Sequence, residues 1–101
     1  MSIMDLKNMV QSHLDKLEYI HPFVNSDKFI TNSYSKWACK ELLNEIGKLD
    51  DLPFHLTPIE FLDAFTDKMK TYAYMNSKNS LPFVIAAETA EYFIEECFRH
   101  K

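Results

Sequence analysis

Fifteen carboxylates, four histidines and two cysteines are the side chains of this 101-residue chain that could hold a metal or move a proton. Their spacing decides which chemistry is open to them. Glu18 and His21 stand in the Glu-x-x-His relation of helix-bundle di-iron sites, but such sites need two copies and two further inward glutamates. Here there is one copy, beside Pro22 at a helix end. Cys97 and His100 lie three residues apart and could share a helix face, with Cys39 as a third ligand. Structural zinc sites use two close ligand pairs, so one pair reads as a core thiol and a solvated imidazole. The remaining histidines, His13 and His55, fall singly. No nucleophile elbow is present, and a single glycine, Gly47, cannot build a phosphate loop or an oxyanion cradle. General acid chemistry wants a carboxylate in an apolar pocket, whereas these sit at helix-surface spacings. The expectation is a protein that is not an enzyme, with no metal and no cofactor.

The carboxylates are better explained by recognition. Glu60, Asp63 and Asp67 follow at three and four residues and share one helix face, as do Glu88, Glu91 and Glu95 on another. Like charges at these spacings cost a helix a few tenths of a kcal/mol per pair. Residues 41–67 hold seven acids (Glu41, Glu45, Asp50, Asp51, Glu60, Asp63, Asp67) against Lys48 alone, and residues 81–98 hold four acids and no base. Residues 1–40 are near balance, with five lysines and four acids. The dull reading is a solvated face plus a favourable helix dipole for Glu60 and Asp63. The functional reading is a surface that steers toward a basic protein. In that reading Glu41, Glu45, Asp50, Asp51, Phe54, Glu60, Asp63 and Asp67 form the first patch and Glu88, Glu91 and Glu95 the second. Carboxylates would imitate phosphate charge while Phe54 anchors the contact. A net charge of −4 argues against nucleic acid as the partner, because that binding runs on lysine and arginine.

Four helices must position these groups. Ser2 and Asp5 make a capping box ahead of Ile3, Leu6, Val10, Leu14, Leu17 and Ile20, which recur on one face until Pro22. His21–Asn25 reads as a loop. A second helix starts near Ser26 or Asp27 and stops at Gly47, where the left-handed C-terminal position favours glycine. Phe29, Ile30, Tyr34, Trp37, Ala38, Leu42 and Ile46 carry its periodicity. Thr31-Asn32-Ser33 is poor helix material, so the early part reads as a separate short turn. Residues 48–56 form an acidic connector. Thr57-Pro58-Ile59-Glu60 is the sharpest local signal: threonine caps, proline takes the first helical position and glutamate reaches back. Phe61, Leu62, Phe65, Met69, Tyr72 and Ala73 line the third helix to about Met75. After a polar turn at 76–80, Pro82 opens a fourth helix capped by Asn79 or Ser80. Its inward positions are Phe83, Ala86, Ala87, Ala90, Phe93, Ile94 and Cys97, the alanines admitting a close neighbour. The fold expected is all-α, a single domain over residues 1–101 with its helices in an antiparallel bundle-like array.

The longest apolar run, 81–87, is far short of the ~20 residues of a membrane span, and the N-terminus lacks signal-peptide character. A cytoplasmic chain with reduced, buried thiols and no membrane partner is expected. Two segments of the C-terminal half, 57–69 and 83–91, resemble small helical bacterial proteins, some akin to the immunity proteins of contact-dependent inhibition and other polymorphic toxin systems. The resemblance implies an inhibitor of a cognate toxin domain, often a basic nuclease. The alternative is a small regulatory or scaffold protein, homodimeric through an apolar helix face.

Overall fold

The computed structural model describes residues 2–17, 26–49 and 57–99, with side chains from residue 30 onward in the second stretch. Helix α1 spans Ile3–Leu17, α2 Ser26–Leu49, α3 Pro58–Met75 and α4 Leu81–Arg99, with a short 3₁₀ turn at Ser77–Asn79. No strand occurs among the described residues. The architecture is the all-α bundle that the apolar spacing predicts.

The capping box of α1 forms in full, and that of α3 in a variant form. The Ser2 backbone N–H donates to Asp5 Oδ2 at 2.9 Å and the Asp5 N–H to Ser2 Oγ at 3.1 Å. Hydrogen bonding from Ser2, its backbone N–H foremost and its side chain second, holds the Asp5 carboxyl below its ordinary range. At α3 the Glu60 N–H donates to Thr57 Oγ1 at 3.2 Å, and the Thr57 hydroxyl donates to Glu60 Oε1 at 2.9 Å. Glu60 therefore reaches the cap's hydroxyl. Pro58 fills the first helical position, where no N–H is missed, and is buried.

α2 departs from its sequence reading in two places. It is one helix through Thr31-Asn32-Ser33, because Asn32 turns inward and donates Nδ2 to the Leu17 carbonyl at 2.9 Å. The side chain that would compete with its own backbone instead ties down the last turn of α1. Nor does α2 stop at Gly47. No glycine has positive φ, and the helix runs on to Leu49, which packs partly buried against the core. Passing a glycine costs about 1 kcal/mol relative to alanine, which burial of a leucine offsets. The expected end of α1 beyond Leu17 and the loop at 21–25 lie outside the described residues.

The core is drawn from all four helices: Leu6, Val10 and Leu14; Ala38, Cys39, Leu42 and Ile46; Phe61, Leu62, Phe65 and Met69; Ala86, Ala87, Ala90, Phe93 and Cys97. Ile85 and Thr89, absent from the expected inward set, are also buried. The Thr89 hydroxyl bonds the Ile85 carbonyl at 2.7 Å, and Thr66 bonds Leu62 at 2.8 Å, so neither hydroxyl is orphaned. Two expected inward residues lie outward: Ile30 is 45% exposed and Tyr72 39%. Tyr72 meets Phe83 edge-on, with centroids 5.6 Å apart, and Trp37 meets the same ring from α2 at 5.8 Å.

The helices do not pack equally. α3 and α4 form an intimate hairpin, α1 lies on α2, and α2 packs across the bundle directly on α4. Small buried side chains on both partners (Ala38 and Cys39; Ala86, Ala87 and Ala90) permit this central approach. The flanking pairs, α2 with α3 and α1 with α4, approach far less. Each of those seams holds a groove, of about 280 Å³ and 180 Å³ respectively. Both cysteines are buried thiols outside any disulfide, and burial pushes the Cys39 thiol up to about 12 and raises Cys97 as well.

Candidate partner-binding surface

The expected recognition residues divide into three groups. On α3, Glu60, Asp63 and Asp67 are exposed along the outer face, with Tyr74 on the same face nearer the C-terminus. Tyr74 is 89% exposed, the most solvent-presented large side chain described. On α4, Glu88, Glu91 and Glu95 are likewise exposed, flanked along the helix by exposed Val84 and Phe98. On α2, Glu41 and Glu45 are half-buried and belong to a different side of the molecule. Asp50, Asp51 and Phe54, the loop part of the first patch, lie outside the described residues, as do His55 and His100.

Counter-charge distinguishes the groups. Lys68 pairs with Glu45 of α2 and also lies 5.9 Å from the Phe65 ring centroid. Lys70 pairs with Glu91 of α4 at 3.0 Å. The two lysines in the body of α3 are thus engaged with different helices; Lys68 turns toward α2, while Lys70, three residues after Asp67 and seven after Asp63, shares their side of α3 and reaches Glu91 of α4. Arg99 Nη1 donates to Glu96 at 2.9 Å. Among the described residues, Glu41, Asp63, Asp67, Glu88 and Glu95 have no ion-pair partner. Two expected binding residues, Glu45 and Glu91, are already paired with lysines of this chain. The Lys70–Glu91 pair is mostly solvated, so it is worth at most about 1 kcal/mol. A partner's arginine could displace that lysine at little cost.

Sequence reasoning missed the two lysines because their roles depend on how α3 is rotated between its neighbours. The signal was present: Lys68 and Lys70 differ by about 200° around a helix. Tyr74 lies seven residues after Asp67, and its exposure places it on the carboxylate face of α3. No cluster of three or more His, Cys, Asp or Glu side chains with metal-binding geometry occurs among the described residues. No described helix is long and apolar enough to cross a membrane. The groove between α2 and α3 is lined by Leu49, Phe61, Ala64 and Phe65 together with the charged Glu45, Lys48 and Lys68. No family model, curated protein or solved structure matches this chain.

Proposed function

We propose that this chain binds a basic protein surface through the outer faces of α3 and α4, as an immunity protein neutralising a toxin domain in the cytoplasm. The observation that carries the reading is that Asp63 and Asp67 are exposed and, among the described residues, have no ion-pair partner, Lys68 and Lys70 being engaged with Glu45 and Glu91. Aspartates held on a rigid helix can occupy phosphate-like positions opposite a nuclease's lysines and arginines. Tyr74 at the end of the stripe supplies an amphipathic anchor of the kind that concentrates interface energy. Catalysis plays no part in this mechanism.

The test is the affinity for the purified cognate domain as salt rises from roughly 50 to 300 mM. Weakening of about tenfold or more is expected for a contact made by exposed opposite charges. The double variant Asp63→Asn/Asp67→Asn should weaken binding by a similar factor at low salt and flatten the salt response. Affinity that holds steady across the salt series would sink the reading. A second reading draws on exposed Met75, Leu81 and Val84 around the turn between α3 and α4. It makes the chain a scaffold that pairs with its own copy through apolar contact, and concentration-dependent sedimentation of the isolated protein distinguishes it.

A further inference from the structure

His13 lies on the opposite flank of α4 from the Lys70–Glu91 pair and takes no part in the proposed contact. Its ring packs against Tyr92 with centroids 5.1 Å apart and planes tilted by 35°. It also meets Phe93 edge-on, at 5.4 Å and 85°. Phe93 is wholly buried, so the imidazole rests directly on the core. Few other contacts hold this seam, because α1 and α4 approach each other only lightly. The adjoining groove is lined by Met9, Ser12 and Lys16 from α1 and by Glu96 from α4, with no residue of α2 or α3 among those described. The charged and titratable groups facing His13 are therefore Lys16, Tyr92 and Glu96. Lys16 repels a cation at His13. The Glu96 carboxylate attracts one, but it already accepts a bond from Arg99. The Tyr92 ring favours a cation only through its half-exposed face.

We infer that His13 is an acid-sensitive latch: its neutral ring closes α1 onto α4, and protonation loosens α1 while the α3–α4 hairpin stays folded. An imidazolium here must give up water against Phe93 with a lysine one turn away, whereas the neutral ring packs without that penalty. Burial, and secondarily Lys16, hold the His13 pKa below its ordinary value of 6.5. The sign follows from proton linkage. A histidine whose folded pKa is lowered contributes stability that is full above 6.5 and is lost as pH falls from there through the folded value. The hairpin contains no corresponding group among its described residues, so the loss is confined to the seam.

The experiment combines an NMR titration of the His13 ring with hydrogen-exchange protection factors at about pH 7.5 and 5.5. His13 should titrate below 6.5. Protection of α1 amides should fall at least about threefold relative to α3 across that interval. His13→Phe keeps a ring in place and should abolish the pH response. Lys16→Gln should move the His13 midpoint upward and shrink the response, which keeps the inference testable if the phenylalanine variant folds poorly. A midpoint at or above 6.5, an unchanged α1 profile, or a response that survives in His13→Phe each overturns it.

Discussion

The α3–α4 hairpin and the α1–α2 pair have similar total helical length, yet they are specified differently. In the hairpin, local signals and tertiary packing agree. α3 begins on a capping box with proline in the first turn, and the interior polar groups Thr66 and Thr89 satisfy themselves on their own helices. In the α1–α2 pair, tertiary contacts decide what local sequence does not. Asn32 is kept in a helix by a carbonyl fifteen residues earlier, and Gly47 is passed over so that Leu49 can pack. The lesson is that the hairpin is a self-consistent platform that carries the exposed carboxylates, while the other pair depends on single contacts. Those contacts are where the molecule can be opened.

The largest test of this contrast is Phe93→Ala. It removes the ring on which both halves rest and should cost about 3–5 kcal/mol in denaturant unfolding. If the two halves are unequal as described, residual protection in this variant should persist in α3 longer than in α1. Next is Asn32→Asp, nearly isosteric, which replaces the donor to Leu17 with a buried anion. A loss of about 3 kcal/mol at neutral pH is expected, shrinking as pH is lowered into the carboxylate range and the group becomes neutral. Among the described residues the buried Asn32 Oδ1 atom has no hydrogen-bond partner. A loss under about 1 kcal/mol would mean that the bond to Leu17 carries little of the α1–α2 docking. Smallest is Gly47→Ala. The helix passes through this exposed position, and an added Cβ meets nothing within 4 Å. A gain of about 0.4–1 kcal/mol is expected, read as a raised thermal midpoint. Destabilisation would restore a terminating role for the glycine and erase the difference between the helix pairs at that point.

How far the sequence could be read follows the same division. Thr57-Pro58-Ile59-Glu60 announces α3 because every determinant lies within four consecutive residues. The core positions Leu6, Val10, Leu14, Phe65, Met69, Ala90 and Phe93 emerge from periodicity, since burial needs only a consistent face. Asn32 was illegible because its partner is distant in the chain. Ile30 and Tyr72 have the right spacing but lie toward helix ends and are only partly covered, Tyr72 by the edge of Phe83. The carboxylate stripes of α3 and α4 were legible as faces. Their counter-charges were not, because Lys68 and Lys70 find acids on other helices only after the bundle has assembled. His13 could have been suspected, since it stands three residues after Val10 and four before Leu17, at the margin of the apolar face.

The two cysteines give the molecule an internal clock. Each helix of the central α2–α4 contact contains one, and the Cys39 thiol, pushed up to about 12, has almost no thiolate to offer while folded. An alkylating reagent in excess must therefore wait for the interior to part, and its consumption at residue 39 counts those partings. The chain thus keeps a chemical record of every time its middle comes undone.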